Sequence, residues 1–187
     1  MPLTTLDPAT ALILIDLQHG IVALPTAHSS ADVVQRANAL ADAFRSHDLP
    51  VVLVNVTGVP PGRVEQARSS VGRPANWADL VPALNMPPQD YRVSKRSWGA
   101  FTATGLDVYL KQRGVTQVVI AGIATSMGVE STARQAHELG YNVTLAIDAM
   151  TDTSMDAHHN SLTRIFPKIS ETGTTQAIIE LLGHPLA

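Results

Sequence analysis

Two charged side chains in this sequence stand where acid–base chemistry could use them. Asp16 interrupts the apolar run ALILIDL, where a buried carboxylate without a partner costs several kcal/mol or has a raised pKa. Such carboxylates are typical of active sites, although an aspartate that caps a neighbouring loop fits the position equally well. Lys95 lies between Ser94 and Arg96, a setting in which lysine is usually solvated. Position alone therefore makes Asp16 a candidate for an active-site residue and does not decide whether Lys95 has a role.

Cysteine is absent from the chain, which excludes disulfides, thiolate metal sites and cysteine nucleophiles. The net charge of -3 comes from interspersed acidic and basic residues, and without a basic stripe we expect no nucleic-acid partner. The N-terminus lacks a signal-peptide pattern, and no apolar stretch approaches the roughly 20 residues that span a bilayer. We therefore expect a soluble, cytoplasmic protein with no membrane partner.

Length and composition predict one domain, residues 1–187. Hydrophobic residues make up 45% of the 187 residues and charged residues 16%, which is enough to bury a sizeable core. The low charged fraction leaves many apolar side chains to cover. We therefore expect further burial in a subunit interface.

Four short, nearly continuous apolar runs predict strands that are covered on both faces, as in a parallel sheet between helices. These runs are Ala11–Leu17, Val51–Val56, Val115–Ile123 and Tyr141–Ala149. Weaker patterns predict two further strands, Tyr91–Ser94 and Pro167–Ser170. Helical spacing of apolar residues, with cap residues at several ends, predicts helices between them. The predicted helices are Ala31–His47, Leu106–Arg113, Val129–Leu139, Asp156–Phe166 and Thr174–Leu182.

Strands that alternate with helices predict βαβ units and a doubly wound, Rossmann-like sheet. In such sheets ligands bind outside the carboxyl ends of the strands. Asp16 and Gln18 lie at the end of the first strand, and Gly122–Thr125 at the end of the strand before the third helix. The long Pro- and Gly-rich segment Thr57–Pro88 has no clear element, and unstructured stretches of that length often cover a site.

The chain resembles the isochorismatase-like, or cysteine hydrolase, superfamily over nearly its whole length. The resemblance is carried by ALILIDLQ, by SKRSWGAFTATGL and by GIATSMGVESTARQAHELGYNVTLAIDA. It implies a three-layer α/β/α domain with a parallel six-stranded sheet, a homodimer or higher homo-oligomer, and a triad of aspartate, lysine and cysteine. Carried over, the aspartate matches Asp16 and the lysine matches Lys95, whereas the cysteine position holds Gly128.

The resemblance also implies a cis peptide. The cis bond would join Ile123 and Ala124, and in the family it turns backbone N–H groups toward the substrate oxygen. The residues that we expect to contact substrate are Gln18, Trp98, Ile123, Ala124 and Thr125.

Glycine at position 128 removes the covalent route of the amidase relatives, in which the aspartate activates the cysteine. Ser126 and Ser131 would not place their oxygens where a side chain of residue 128 points. Isochorismatases also resemble this chain in having glycine there: their aspartate protonates a vinyl ether and water captures the cation. They have a tyrosine at the position of Ala124 and a glutamine near Thr57, so isochorismate itself is not the expected substrate.

We therefore expect a cofactor-independent hydrolase of a small molecule, with Asp16 as acid or base and Lys95 as its partner. The alternative is an inactive relative that binds a small molecule or serves as an oligomeric protein. A third reading is that Gly128 is an engineered replacement of a cysteine.

We expect no metal. Nicotinamidase relatives hold zinc with residues after the second strand, where this chain reads VNVTGVPPG. His158 and His159 are adjacent and fit a helix-surface pair better than a metal site. His19 is as well explained as a structural histidine as a pocket residue. Trp98 and Phe101 fit the core or a pocket wall, and Arg63 and Arg68 either bind an anionic substrate or are solvated.

Overall fold

The computed structural model describes residues 3–66 and 72–183, which form a six-stranded sheet between two layers of helices. All neighbouring strands are parallel. Their order is β3-β2-β1-β4-β5-β6, so the chain builds outward from β1 in one direction and then from β4 in the other. The strands are β1 (Thr10–Ile15), β2 (Val51–Val56), β3 (Tyr91–Lys95), β4 (Gln117–Ile123), β5 (Asn142–Thr151) and β6 (Glu171–Gly173). The predicted fold class is confirmed.

The described residues form six α-helices beside the sheet, with a π-helical turn at Thr125–Val129 directly before the fourth. They are α1 (His19–Val22), α2 (Ser30–Ser46), α3 (Leu106–Gln112), α4 (Glu130–Glu138), α5 (Met155–Asn160) and α6 (Thr175–Leu182). No helix among residues 3–66 and 72–183 is long and apolar enough to cross a membrane.

Alternate residues of β1 belong to the two sides of the sheet, because successive side chains of a strand point in opposite directions. Leu12 and Leu14 pack in the apolar cluster formed with α2 and α6. Ile13 and Ile15 pack in the cluster formed with α3 and α4. Both faces of the strand are therefore buried, which explains the unbroken apolar run that the sequence shows.

Cap residues mark several of the helix ends. The Ser29 hydroxyl accepts a hydrogen bond from Asp32 N at the start of α2, and the Thr174 hydroxyl accepts one from Ala177 N at the start of α6. Gly114 and Gly140 follow α3 and α4 with positive φ angles, which only glycine adopts without strain.

Two predicted elements differ from the structure near the C-terminus. The strand predicted at Pro167–Ser170 is wrong: Phe166–Lys168 is a 3-10 turn, and β6 begins at Glu171. The short edge strand is polar and gives no apolar run to detect. The helix predicted at Asp156–Phe166 ends as α5 at Asn160 and continues as a π-helical turn, Ser161–Ile165.

The segment 57–88, described at 57–66 and 72–88, folds over the carboxyl ends of β1 and β2. Leu80 forms an antiparallel bridge with Gln18. The Gln18 side chain donates to the carbonyls of Val56 and Trp77 and accepts from Val56 N at 2.8 Å. These bonds fix the segment against the end of the sheet, where the sequence places the candidate site.

Candidate active site

Asp16 is the first residue after β1, at the point where the chain connections diverge to the two halves of the sheet. Such switch points are where α/β sheets bind ligands. Its φ of 52° lies in the left-handed region, which is uncommon for a residue with a side chain and is found mainly at functional sites. Asp16 N donates to Val54 O at 2.9 Å, and Asp16 O accepts from Gln18 N at 2.8 Å. The backbone thus holds the carboxylate in a fixed position.

Lys95 reaches this carboxylate from the other side of β2. It is the last residue of edge strand β3, opposite Val56, and its long side chain crosses to β1. Its ammonium donates to Asp16 Oδ2 at 2.8 Å and to Ser97 O at 3.1 Å. Only 2% of Lys95 and 5% of Asp16 are exposed, so water screens this ion pair little. The lysine that the sequence left undecided is therefore the direct partner of Asp16.

The two oxygens of the Asp16 carboxylate differ. Oδ2 bonds to Lys95, whereas Oδ1 is buried and has no hydrogen-bond partner among the described residues. Burial raises the pKa of Asp16 to about 6, and the positive charge and hydrogen bond of Lys95 lower it only in part. Burial therefore outweighs the ion pair, and the carboxyl group can give or take a proton near neutral pH.

Gly128 completes the predicted constellation. It lies in the π-helical turn before α4, and a Cβ built on it would point toward the carboxylate, 3.2 Å from Asp16 Oδ2. The same atom would lie 2.8 Å from Ile15 Cγ2, closer than real Cβ atoms approach. The structure thus brings Asp16, Lys95 and Gly128 together.

Near the end of β4, position 122 leaves no room for a side chain. A Cβ at Gly122 would overlap the carbonyl oxygen of Ile15 on the neighbouring strand, and Gly122 has a φ of 124°. The register between β4 and β5 shifts at this glycine. The peptide bond between Ile123 and Ala124 is cis, as predicted. Glycine at 122 is therefore needed for β4 to approach β1 as it turns into the site.

Two buried side chains that the sequence did not suggest hold the turn that contains Gly128. Asp152, just after β5, accepts hydrogen bonds through Oδ2 from Ser126 N and Ser126 Oγ, both at 2.8 Å. Thr132 donates from its hydroxyl to Gly128 O at 2.7 Å. Asp152 follows an apolar strand as Asp16 does, so the same strand-end argument could have found it.

A cavity of about 430 Å³ opens over these residues, within the roughly 300–1,000 Å³ of small-molecule sites. Its walls are mainly apolar, and Asp16, Lys95 and Arg73 are the charged residues of its lining within the described part of the chain. The remaining lining residues are Gly20, Ile21, Leu24, Val56, Gly58, Val59, Trp77, Ser97, Trp98, Ile123, Ala124, Met127, Gly128 and Thr153. Because Gly58, Val59, Arg73 and Trp77 belong to the segment 57–88, this segment covers the site, as predicted from its length.

Three of the five expected substrate contacts line the cavity: Trp98, Ile123 and Ala124. Trp98 is 49% exposed and belongs to the wall, while Phe101 packs in the core. Gln18 and Thr125 do not line it, and both are fully buried. The Gln18 amide bonds to β2 and to the covering segment. The Thr125 hydroxyl and His158 Nδ1 lie 2.8 Å apart, so both side chains have structural partners instead.

The surface pair expected of His158 and His159 is wrong, whereas His19 and Arg63 each agree with one of the two alternatives given for them. His158 is buried against His28 rather than paired with His159 on a helix surface, and burial lowers its pKa. His19 is half-buried outside the cavity lining. Arg63 is exposed and Arg68 lies outside the described residues, whereas Arg73 of the same segment lines the cavity. Across residues 3–66 and 72–183, no group of three or more metal-ligating side chains could hold a metal ion.

The fold is that of the isochorismatase-like hydrolases, as a solved family structure with a TM-score of 0.92 shows. The profile of the Isochorismatase domain matches residues 10–177, and the chain therefore belongs to the isochorismatase family of hydrolases.

Three relatives illustrate how close the match is. The chain is 43% identical over 178 residues to the isochorismatase family protein YwoC of Bacillus subtilis, covering 91% of this chain and 93% of that protein. It superposes on an isochorismatase family protein from Burkholderia thailandensis with a TM-score of 0.92 and 42% identity, covering 96% and 98% of the two chains. It is also 32% identical over 143 residues to streptothricin hydrolase of Streptomyces noursei, across 74% of this chain and 48% of that enzyme.

Proposed function

We propose that this protein hydrolyses a small molecule without a covalent enzyme intermediate, with Asp16 as the general acid or base and Lys95 as its charged partner. The observation that carries the proposal is the asymmetry of the Asp16 carboxylate. One oxygen is held by Lys95, and the other has no hydrogen-bond partner among the described residues. A buried carboxyl group whose pKa is raised to about 6 is suited to proton transfer in either direction near neutral pH.

The chemistry that best fits a protonated Asp16 is the cleavage of a vinyl ether. Asp16 gives its proton to the vinyl carbon remote from the ether oxygen, so that a C–H bond forms as the π bond breaks and an oxocarbenium cation results. Water adds to the cationic carbon and loses a proton to the Asp16 carboxylate, which restores the acid. The hemiketal then breaks its C–O bond, with its hydroxyl proton passing to the leaving oxygen. The products are a carbonyl compound and an alcohol.

Cleavage of a related C–O or C–N bond would use the ionised form of Asp16 instead. The carboxylate would then take a proton from water as the water attacks an ester or amide carbonyl. No side chain stands at position 128 to compete as a nucleophile, and the Ser126 hydroxyl donates to Asp152. In both modes water, rather than a residue of the chain, forms the new bond.

A panel of vinyl ethers, esters and amides tests the proposal in wild type and in Asp16→Asn. Asparagine keeps the size of the side chain and tolerates a positive φ, but it cannot transfer the proton. We expect turnover of at least one vinyl ether, reduced at least 100-fold in the variant. Asp48→Asn is the matched control, because Asp48 is exposed and has nearly the same φ, 56°. Equal turnover by wild type and Asp16→Asn would contradict the mechanism.

A second candidate function is small-molecule binding without catalysis. It is favoured by the glycine at the position where the family resemblance implies a nucleophile. The chain has two tryptophans, and because both Trp77 and Trp98 line the cavity, intrinsic fluorescence reports on its occupancy. Tight binding of a compound that is recovered unchanged, with no turnover across the panel, would favour the binding role.

A further inference from the structure

The charges around the cavity do not balance, and the imbalance indicates what kind of substrate belongs there. Asp16 and Lys95 neutralise each other as an ion pair when Asp16 is ionised. Arg73 is the third charged residue of the lining, and no carboxylate among the described residues forms a salt bridge with it. The described residues of the lining therefore carry one net positive charge with Asp16 ionised and two with Asp16 protonated.

The guanidinium of Arg73 is held by an aromatic ring. Its central carbon lies 4.2 Å from the centre of the Trp77 ring, a distance typical of a cation–π contact. A guanidinium in a cation–π contact can still donate hydrogen bonds from its N–H groups to an anion. Arg73 thus combines a charge that no described carboxylate neutralises with donors that can form a forked, two-bond contact to a carboxylate.

The ring that carries Arg73 is itself fixed to the catalytic end of the sheet. The Trp77 carbonyl accepts hydrogen bonds from Gly20 N at 2.9 Å and from Gln18 Nε2 at 3.1 Å. The indole packs so closely on Gly20 that a Cβ at that position would overlap it. Gln18 and Gly20 closely follow Asp16, so the same loop positions the carboxylate and the platform for Arg73. Fixed placement of this kind reduces the ordering cost of binding an anion.

From these contacts we infer that the substrate is a small carboxylate, whose carboxylate group binds Arg73 while its apolar body lies between Trp77, Trp98 and Met127. With Asp16 ionised and paired with Lys95, the charge of Arg73 balances a monoanion, and the apolar walls favour a body without further charge. The reacting bond then faces Asp16. The location of that bond rests on the proposed function, whereas the recognition of the anion does not.

Matched pairs of acids and their primary amides test the inference: benzoate with benzamide, phenylacetate with phenylacetamide, and 3-phenylpropanoate with its amide. Affinities are measured by calorimetry on wild type, Arg73→Gln, Arg73→Lys and Arg63→Gln. Arg63 is the matched control, since it is exposed in the same segment and does not line the cavity. Circular dichroism checks that each variant is folded.

We expect at least one acid to bind wild type more tightly than its amide and to lose about 10- to 100-fold in affinity in Arg73→Gln, as for a charge-assisted hydrogen bond. Arg73→Lys keeps the charge without the fork and gives an intermediate loss. Arg63→Gln binds like wild type. If no acid of the panel shows binding that depends on Arg73, or if each amide binds as tightly as its acid, the inference is overturned.

The same measurements separate this inference from the proposed function. Asp16→Asn is expected to retain Arg73-dependent binding of the acid, because the variant removes the proton transfer and not the anion contact. Arg73-dependent binding without any turnover would sustain the substrate class and count against hydrolysis. Turnover of neutral compounds with no preference for acids would support hydrolysis and count against the carboxylate substrate class.

Discussion

Gly128 faces Asp16 so closely that a methyl group added at Gly128 would contact the Asp16 carboxylate. The Cβ of any side chain at position 128 would lie 3.2 Å from Asp16 Oδ2 and 2.8 Å from Ile15 Cγ2. The first distance places a residue at 128 in contact with the acid–base group. The second shows that the Ile15 methyl already occupies part of that space, so the site is fitted to glycine.

Gly128→Ala should destabilise the fold, because Ile15 Cγ2 belongs to a fully buried, β-branched side chain that moves only at a cost. We expect a loss of about 1–3 kcal/mol in the free energy of unfolding, measured by urea denaturation. In an Ile15→Ala background the added loss should shrink by at least about 0.5 kcal/mol. Gly183→Ala is the control, since a Cβ there meets only Glu180 O at 3.5 Å. Full additivity of the two substitutions would contradict the contact.

Gly128→Cys would place the only thiol of the chain beside Asp16. The Asp16 carboxylate can accept the thiol proton, and Lys95 is close enough to stabilise the resulting charges. We expect iodoacetamide to alkylate this variant at least tenfold faster than Gly128→Cys/Asp16→Asn. Gln35→Cys, on the exposed face of α2, is the control whose alkylation rate should not depend on Asp16. An equal alkylation rate in the two variants would show that Asp16 does not activate a thiol at position 128.

The pH dependence of kcat/KM should reveal which form of Asp16 works. Burial raises the pKa of Asp16 to about 6, so the protonated fraction falls tenfold for each pH unit above that value. If Asp16 is the general acid, kcat/KM for a vinyl ether is highest below pH 6 and falls about tenfold per unit from pH 7 to 8. This fall of kcat/KM with pH should be absent from the residual activity of Asp16→Asn. A rate that rises through pH 6 would assign the base role instead.

Lys95 and Lys111 form ion pairs of equal length in opposite surroundings, and their removal should differ accordingly. Lys95 bonds to Asp16 and Lys111 to Asp107, both at 2.8 Å, but the Lys111 side chain is 58% exposed. Lys95→Met leaves a buried carboxylate without its partner and should cost about 3–5 kcal/mol at pH 8. Lys111→Met should cost at most about 1 kcal/mol. Urea denaturation of both variants gives the comparison, and similar losses would refute a buried, interacting pair.

Lys95→Met should also change the proton affinity of its partner. Lys95 lowers the pKa of Asp16, so its loss should move that pKa above 6 and shift the inflection of the pH–rate profile to higher pH. The carboxylate 13C chemical shift of Asp16, followed by NMR, reports the same change without requiring activity.

The sequence determined the fold to a large extent, because its main signals are local. A strand buried on both faces needs a continuous apolar run, and four such runs correspond to β1, β2, β4 and β5. The weaker pattern at Tyr91–Ser94 corresponds to β3. Asp16 was recognisable because a charge inside an apolar run is costly to bury unless it has a partner, and such carboxylates are typical of active sites. The polar three-residue strand β6 gave no comparable signal.

The tertiary structure decided which side chains meet. Lys95 and Asp16 are 79 residues apart in the chain, and nothing in the neighbourhood of Lys95 distinguishes it from a solvated lysine. Only the order of the strands brings the end of β3 within reach of the end of β1. The same long-range packing engages the Gln18 amide in hydrogen bonds to β2 and the covering segment, exposes Trp98 at the cavity and brings Arg73 into the lining. Local patterns fix which backbone is buried, whereas the contacts of a site depend on segments distant in sequence, whose distances no short pattern encodes.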